Sequence, residues 1–460
     1  MVIAVMKRCS CHKLSGATNY YGNQMIQLID LRNRTIAPHE FADIVPRSLS
    51  DVSSATAVAA ELIAAVRSRG EAALREQAER LDGCRPSTIR VKPDEIAAAV
   101  EALAPAVRAA LEEAIARVTV ASKAQVPPPT VTELAPGAFV TQRWQPVKRV
   151  GLYVPGGKAV YPSSVVMNVV PAQVAGVSSV ALASPAQKAF GGAVHPTILG
   201  AAGLLGIDEV YAMGGAGAIG AFAYGVPSMG LDPVHVITGP GNVYVAAAKR
   251  LVRGVTGIDS EAGPTEILII ADASANTRFV AADLISQAEH DELAAAVLVT
   301  DSVELAEAVR HELETLSQSA HHGERVREAL GGVQSAIVLV DTISVAAEFS
   351  NAYGPEHLEL QTIDPSATLE LIDSAGAIFL GAHSPVSLGD YLAGSNHVLP
   401  TGGQARFSAG LGTYTFLRPQ QVIDYDRVAL AEVRDRIVAL STAEDLPAHG
   451  EAVSARFSEN

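Results

Sequence analysis

The stretch VGLYVPG at residues 150–156 decides the fold class, because it is a short apolar run closed by proline and glycine. Apolar runs of this length, bounded by turn residues, predict strands that are buried on both faces of a sheet. Seven further runs of this kind alternate with helical stretches along the chain: SSVALASP (178–185), DEVYAMGG (208–215), VHVITGPG (234–241), EILIIAD (266–272), AVLVTD (296–301), AIVLVD (336–341) and AIFLGA (377–382). This alternation predicts parallel sheets covered by helices, either one large sheet or two smaller ones.

The segments on either side of these strands have a different texture. Residues 55–81 and 93–125 are rich in Ala, Glu and Arg with helical periodicity, and three prolines at 127–129 end that region. From residue 131 the sequence predicts a hairpin that leads into the first core strand, and the last 45 residues are polar and helical. Since 460 residues exceed one core, we predict two Rossmann-like α/β domains with mainly parallel sheets, a small N-terminal segment and a C-terminal helical arm.

Composition excludes several classes of protein. The chain has 34 Lys and Arg against 49 Asp and Glu, a net charge of −15 with no basic stripe, which argues against a nucleic-acid partner. No apolar run approaches the roughly 20 residues that span a bilayer, so no membrane segment is expected. Only three cysteines are present (Cys9, Cys11 and Cys84), which is typical of a reducing compartment and predicts a cytoplasmic protein.

Residues 1–24 resemble neither the chain that follows nor a signal peptide, because no apolar core follows Lys7 and Arg8. Their Cys9-x-Cys11-His12 tract can be interpreted as a metal-binding tract. We favour a disordered extension, with the structured protein beginning near MIQLIDLRNR at residue 25.

The segment DLISQAEHDELA (283–294) contains the first candidate ligands. On a helix through 278–294, Asp283, Gln287 and His290 lie along one face, away from the apolar positions. Histidine is a common zinc ligand and glutamine can supply an oxygen, although a polar helix face with a surface histidine explains the same pattern.

Two further segments carry titratable groups. In YGPEHLEL (353–360), Glu356 and His357 precede a strand, and both can line a cleft only if the chain bends near Pro355. An imidazole suits a general base and a neighbouring carboxylate can activate water; the alternative is a surface pair. In SPVSLGDYLAGSNHVLPTGG (384–403), Asp390 and His397 fall in a predicted loop, and with the preceding helix they form a sulfur-free donor set that suits zinc.

Glycine-rich turns follow two of the strands. GGAGAIG (214–220) formally matches the dinucleotide fingerprint G-x-G-x-x-G, but no acidic residue follows at the expected spacing. In ITGPGN (237–242), Asn242 offers an amide for ribose or nicotinamide contacts. Neither turn by itself establishes a nucleotide site.

Taken together, these segments resemble the histidinol dehydrogenase family from about residue 25 to the end of the chain. The resemblance rests on ordered blocks that include GLYVPGG, YPSSVVMNVVPAQVAGV, TGPGN, AGPTE, DLISQAEHD, EHLEL, SPVSLGDYLAGSNHVLPT and AEDLPAHGEA. It implies oxidation of L-histidinol through L-histidinal to L-histidine, with two NAD⁺ and one zinc ion per site in a homodimer.

The resemblance also implies roles for individual residues. It makes Gln287, His290 and Asp390 zinc ligands, completed by His449 from the partner subunit, and it makes His357 the base and Glu356 the group that activates water. The substrate-contacting positions are Thr265, Gln287, His290, His357, Asp390, His397, Glu444 and His449, and the NAD positions are Tyr153 and Asn242. Two departures are Gly217, where the family commonly has a Gln that contacts NAD, and Thr265, where Ser is common.

The predicted organisation follows from the pattern and the resemblance together. We expect an extension at 1–24, an N-terminal segment at 25–50, and a discontinuous first α/β domain at 51–152 and 266–411. The second α/β domain is expected at 153–265, and an arm at 412–460 is expected to reach the site of the partner subunit.

Two alternative interpretations of the sequence compete with this one. An aldehyde dehydrogenase also has two α/β units, but its chemistry needs a cysteine thiolate, and no cysteine follows residue 84. A catalytically silent metal- or imidazole-binding protein needs the ligand set but not Glu356 and His357. Because both of these are present, the sequence favours the enzyme.

Overall fold

Two parallel sheets form the body of the protein, and all eight apolar runs are strands in them. The computed structural model describes residues 25–37, 40–41, 44–47, 52–156 and 160–458, so the predicted extension at 1–24 lies outside the described residues. The strands are β1 (Gln27–Asp30), β2 (Thr130–Ala135), β3 (Ala138–Pro146), β4 (Arg149–Tyr153), β5 (Ser179–Ser184), β6 (Val210–Ala212), β7 (Val236–Thr238), β8 (Gly257–Ile258), β9 (Glu266–Ala271), β10 (Ala295–Thr300), β11 (Ala336–Leu339), β12 (His357–Gln361), β13 (Ala377–Leu380) and β14 (Leu417–Tyr425).

The strand order answers the question of one sheet or two. One sheet has six parallel strands in the order β1-β11-β10-β9-β12-β13, and the other has five in the order β6-β5-β4-β7-β8. A small antiparallel sheet, β14-β3-β2, contains the predicted hairpin. The fold is therefore α/β with mainly parallel sheets, as predicted, because each central strand is apolar enough to be covered on both faces.

Helices connect and cover these strands. They are α1 (Val52–Arg69), α2 (Glu71–Gln77), α3 (Pro93–Glu101), α4 (Pro105–Gln125), α5 (Pro162–Ala175), α6 (Pro196–Leu204), α7 (Gly215–Tyr224), α8 (Val243–Val252), α9 (Thr277–Ala288), α10 (Val303–Ser319), α11 (Gly323–Gly331), α12 (Ile343–Tyr353), α13 (Pro365–Leu369), α14 (Val386–Tyr391), α15 (Arg427–Ala443) and α16 (Pro447–Ser454). Within the described residues, no helix is long and apolar enough to cross a membrane.

The packing of the first four helices differs from the predicted domain boundary. Leu62 of α1 and Leu74 of α2 share a buried cluster with Phe222 of α7, and Val118 of α4 shares another with Leu152 of β4. Both clusters cover the five-stranded sheet. Residues 52–152, which were expected in the first α/β domain, therefore pack with the five-stranded sheet of the expected second domain. An apolar helix face is buried by the sheet that lies next to it in space, which need not be the sheet nearest in sequence.

Three local expectations differ from the structure. The helix predicted through 278–294 ends at Ala288, so His290 lies two residues beyond α9 rather than on its face. Asp390 belongs to the short helix α14 rather than to a loop, because Pro385 precedes a helical turn. The C-terminal arm is helical only after β14, whose residues pair with β3.

Candidate active site

A cavity of about 1330 Å³ lies between the two parallel sheets and contains most of the candidate residues. Its wall contains the carboxyl ends of strands from one sheet and the amino ends of strands from the other. Tyr153 ends β4 of the five-stranded sheet, whereas Thr265 immediately precedes β9 and His357 begins β12 of the six-stranded sheet. The carboxyl edge of one sheet therefore faces the amino edge of the other across this space.

Glu356 is held by a hydrogen-bond chain at the amino edge of the six-stranded sheet. Its Oε2 accepts from Thr265 Oγ1 at 2.6 Å and from the Glu266 backbone N–H at 3.0 Å. Thr265 Oγ1 in turn accepts from Gln287 Nε2 at 2.7 Å. Because both donors use Oε2, the other oxygen of Glu356 is left for a water or a substrate in the cavity.

His357 lies beside this carboxyl with its ring orientation determined by the backbone. Its Nδ1 is 3.1 Å from the carbonyl oxygen of Glu266, and since a carbonyl only accepts, Nδ1 carries the proton. The neutral ring therefore presents Nε2 as a lone pair. The same Nδ1 is 3.5 Å from Glu356 Oε2, so the two side chains form one unit.

Burial controls the protonation of both groups. Glu356 and His357 are only 7% and 5% exposed. Burial raises the pKa of Glu356 to about 8, despite the hydrogen bonds from Thr265 and Glu266 that lower it. Burial lowers the pKa of His357, and the charge of Asp390 opposes that effect. A carboxyl group with a raised pKa thus lies next to an imidazole with a lowered pKa, an arrangement suited to proton transfer.

Three polar groups near this pair fit a divalent cation. Gln287 Nε2 is engaged by Thr265, which leaves its amide oxygen as the ligand atom. Neither the His290 ring nor the Asp390 carboxylate has a side-chain hydrogen bond to the part of the chain that the structure describes, and both line the cavity. Burial lowers the pKa of His290, which favours the neutral, metal-binding ring.

The described residues of one chain contain no cluster of three or more His, Cys, Asp or Glu positioned to hold a metal. A metal site formed by Gln287, His290 and Asp390 is compatible with that finding. Only two of these three ligands, the His and the Asp, are of the four residue types counted. Asp283, by contrast, is not part of this set: its carboxyl is hydrogen-bonded to Glu359 instead.

Gln287 does not line the cavity itself but is hydrogen-bonded to Thr265, which does. Two other predicted site residues lie away from the cavity of their own chain. Glu444 caps the C-terminus of α15 and His449 is on α16, and both are exposed on the arm. Neither lines the cavity. One chain therefore does not bring them to Gln287, His290 and Asp390.

His397 lies in the cavity wall with both ring nitrogens engaged. Nδ1 donates to the backbone carbonyl of Asp390 at 2.9 Å, so Nε2 accepts from the Ser164 hydroxyl at 3.0 Å. These contacts connect α5 of one sheet layer with the segment after α14. A substrate that contacts the His397 ring at Nε2 would have to displace or share the Ser164 hydrogen bond.

The predicted cofactor residues lie at the carboxyl edge of the five-stranded sheet. Tyr153 accepts from the Gly215 backbone N–H at 3.1 Å, and its buried phenol has a pKa raised to about 12. Asn242 caps α8, since its Oδ1 accepts from the N–H groups of Tyr244 and Val245. Only the amide nitrogen of Asn242 is thus left to donate to a ligand.

Gly217, where the family commonly has Gln, lies against the side chain of Gln77 in the structure. A side chain added there would overlap Oε1 of Gln77, which occupies the space between α2 and α7. Gln77 is 7% exposed and its Nε2 donates to the Leu62 carbonyl at 3.0 Å.

Sequence reasoning missed two supporting groups. Glu266, 3% exposed, binds Arg47 Nη1 at 2.5 Å and the Gly402 N–H at 2.5 Å, while its carbonyl orients His357. Ser164 is the hydroxyl partner of His397. The only signal for Glu266 was a charged residue at the start of the apolar run EILIIAD; Ser164 gave none.

The chain is similar to known proteins over most of its length. The family model for histidinol dehydrogenase matches residues 45–457. The histidinol dehydrogenase of Leifsonia xyli subsp. xyli is 71% identical over 434 residues, which cover 94% of this chain and 100% of that protein. The Thermobifida fusca protein of the same name is 58% identical, covering 94% of this chain and 98% of its own length. A crystal structure of histidinol dehydrogenase from Elizabethkingia anophelis has a TM-score of 0.89 and 31% identity, covering 95% of this chain and 99% of that one.

Two parallel sheets, with a buried carboxyl group and a buried imidazole on the wall of a large cavity, are typical of an α/β enzyme. The extent of these matches shows more: the chain belongs to the histidinol dehydrogenase family, and the protein is an oxidoreductase.

Proposed function

We propose that this protein oxidises L-histidinol through L-histidinal to L-histidine, the last step of histidine biosynthesis, using two NAD⁺ and one zinc ion per site. The observation that carries the proposal is the buried His357, whose Nδ1 is held by the Glu266 carbonyl, 3.5 Å from the buried Glu356 carboxyl at the wall of a large cavity. A catalytically silent binding protein has no need of such a buried pair. The family membership of the chain supports the same reaction.

The zinc ion would be held by Gln287, His290 and Asp390, with His449 of the partner subunit as the fourth ligand. Zinc, when bound, supplies a cation that orients the imidazole and amine of the substrate. The support within one chain is that the His290 ring and the Asp390 carboxylate line the cavity without a side-chain hydrogen bond to any residue that the structure describes. The hydrogen bond from Gln287 Nε2 to Thr265 also leaves the amide oxygen of Gln287 as a ligand atom. A nitrogen and oxygen donor set without sulfur is compatible with zinc.

His357 would act as the base for the alcohol. Its Nε2 accepts the hydroxyl proton while NAD⁺ supplies the hydride acceptor. Because Nδ1 is fixed by the Glu266 carbonyl, the ring need not reorient before it takes the proton. After the first oxidation, Glu356 in its ionised form would accept a proton from the water that adds to the aldehyde, through the oxygen that Thr265 does not bind.

The remaining substrate contacts and the NAD⁺ contacts are proposed at different sheets. Thr265 and His397 would contact substrate near the six-stranded sheet, and Glu444 of the partner subunit would pair with the substrate ammonium. Tyr153 and Asn242 would contact NAD⁺ at the five-stranded sheet, where Asn242 has only its amide nitrogen to donate. These roles rest on the family resemblance together with the positions described above.

We further propose a homodimer in which each arm completes the site of the other subunit, acting in the cytoplasm without a nucleic-acid or membrane partner. The exposure of Glu444 and His449 on the arm supports sharing, because a ligand exposed in one chain is available to another. The net charge of −15 and the scarcity of cysteine support the remaining expectations.

The reaction is tested by incubating the protein with a known amount of L-histidinol and excess NAD⁺, with and without a chelator. Two NADH per histidinol, lost with the chelator and restored by zinc, is the expected result. Zinc binding without NADH formation would identify the silent binding protein instead. One NADH per histidinol would contradict the second oxidation.

The shared site is tested by mixing two inactive variants, His449→Ala and His357→Asn. A heterodimer has one site that carries both lesions and one that carries neither, so partial activity should return. His357→Asn homodimers should keep about one zinc per subunit, which separates the base from the ligands. Absence of recovered activity in verified heterodimers would contradict a site built from two chains.

A further inference from the structure

The cavity has an apolar region beside α1 and α2, and this region is lined by different residues from those that carry the chemistry. Val58 and Leu62 of α1 and Leu74 of α2 line it, together with Leu81 from the turn that follows α2. Val58 and Leu81 are 41% and 57% exposed, so two large aliphatic side chains on the wall of this cleft are left open to solvent. Apolar walls with few polar groups are typical of sites for flat organic rings.

The chain changes helix type at this wall. Residues Ala78–Asp82 form a π-helical turn that ends at Gly83, whose φ is 67°. Such turns are rare and recur at functional sites. The turn places Leu81 and Asp82 next to each other on the cavity wall.

Asp82 is the acidic group of this region, which also contains the amide of Gln77. It is half-buried, and its side chain has no hydrogen bond or ion pair with another residue that the structure describes. Burial raises its pKa to about 6, so at pH 8 it is an ionised acceptor. The Asp82 charge also adds to the raised pKa of the Tyr153 phenol, which places the carboxylate near the carboxyl end of β4.

We propose that this apolar region binds the adenine of the dinucleotide and that Asp82 accepts hydrogen bonds from the adenosine ribose hydroxyls, so that Asp82 selects NAD⁺ over NADP⁺. This inference rests on the proposed function. The nicotinamide must reach the substrate at His357, so the adenosine half extends to another part of the same cavity. An acidic side chain that accepts from a ribose 2′-hydroxyl repels a 2′-phosphate in the same place.

Asp82→Asn tests the carboxylate, with Glu79→Gln as the matched control. Glu79 is an exposed carboxylate of the same π-helical turn, ion-paired with Arg85 and not part of the cavity wall. Calorimetric titration at pH 8 with ADP-ribose, 2′-phospho-ADP-ribose and nicotinamide mononucleotide measures binding without turnover. Asp82→Asn should weaken ADP-ribose about tenfold, because a charge-assisted hydrogen bond is lost. The preference over the 2′-phospho form should fall by at least that factor, and Glu79→Gln should behave as wild type.

Leu81→Ser tests the apolar wall, with Val120→Ser as the matched control. Both side chains are largely exposed, at 57% and 72%, so neither change should prevent folding. Leu81→Ser should weaken ADP-ribose several-fold and leave nicotinamide mononucleotide unchanged, since only the adenosine half is expected there. Val120 on α4 lies outside the cavity wall, and its variant should bind both ligands normally.

The outcomes separate this inference from the proposed function. If wild type binds neither NAD⁺ nor ADP-ribose, the proposed function fails. If wild type binds both and Asp82→Asn keeps the same affinity and the same preference against the 2′-phosphate, only the role of Asp82 is overturned. An equal loss of ADP-ribose and nicotinamide mononucleotide binding would show a general structural effect, which also contradicts a selective adenosine site.

Discussion

Replacing Lys249 by methionine should be among the most damaging single changes outside the catalytic centre. Lys249 is on α8 and only 1% exposed. Its Nζ donates to the Gly239 carbonyl at 3.0 Å and forms an ion pair with Asp259. Asp259 also accepts from the Gly239 N–H at 2.8 Å, so the pair holds both backbone groups of that glycine.

The expected magnitude follows from what the change leaves behind. Methionine fills much the same volume, but it leaves the Asp259 carboxylate, 5% exposed, without its cation. Removing one partner of a buried ion pair costs about 3–5 kcal/mol. The double variant Lys249→Met/Asp259→Asn buries no unpaired charge and keeps an acceptor for Gly239. It should lose only about 1–2 kcal/mol relative to wild type, so the second change should restore stability.

Urea unfolding followed by circular dichroism and by fluorescence of the single tryptophan, Trp144, measures these free energies of unfolding. Gly239 has a φ of 118° and lies against the Tyr153 carbonyl, in the turn that leads to Asn242. The single variant should therefore also bind NAD⁺ more weakly. A loss below about 1 kcal/mol in the single variant, or a double variant less stable than the single one, would refute the reasoning.

Three further changes test the metal ligands, a buried carboxyl pair outside the site, and the hydrogen bonds of Thr265. His290→Ala should lower bound zinc measured by atomic absorption, whereas the exposed His311→Ala should not; full zinc content in His290→Ala would remove it from the ligand set. Burial raises the pKa of Asp283 from 3.8 to about 6, so the folded state loses stability as the pH rises through that interval. Asp283→Asn, which can donate to Glu359, should therefore stabilise the protein by about 1 kcal/mol at pH 8, after allowing for partial exposure, and not at pH 3.5; equal effects at both pH values would contradict this. Thr265→Val removes the hydroxyl that accepts from Gln287 and donates to Glu356, so turnover should fall about tenfold or more, whereas Thr265→Ser should keep most of it; normal turnover in the valine variant would show that the chain of hydrogen bonds is dispensable.

The strands could be predicted from the local sequence pattern, whereas the ends of the helices were harder to predict from it. EILIIAD and AIVLVD are apolar enough to need burial on both faces, and that requirement is met only inside a parallel sheet. The helix that carries Gln287 was predicted six residues too long, because LAAAVLVT continues its apolar texture into β10. Periodicity alone does not mark where helical hydrogen bonding stops.

Convergence of the site was only partly accessible to sequence. Glu356 and His357 are adjacent, so one bend at Pro355 suffices to bring them to the same cleft. Thr265 is 91 residues from Glu356, and nothing in either segment encodes their 2.6 Å hydrogen bond. Glu266 was overlooked because its role in orienting His357 is carried by a backbone carbonyl, an atom that every residue possesses.

The sequence alone determined that this chain is α/β, that it lacks the cysteine nucleophile of an aldehyde dehydrogenase, and which residue types are available for proton transfer and metal binding. These are properties of composition and of local periodicity, so neighbours along the chain suffice to specify them. The tertiary structure decided that α1 to α4 cover the five-stranded sheet and that the carboxyl edge of one sheet faces the amino edge of the other. It also decided that the Glu356 carboxyl is buried, which raises its pKa. Packing between distant segments sets these outcomes, because burial, and with it the local cost of charge, exists only after those segments have come together.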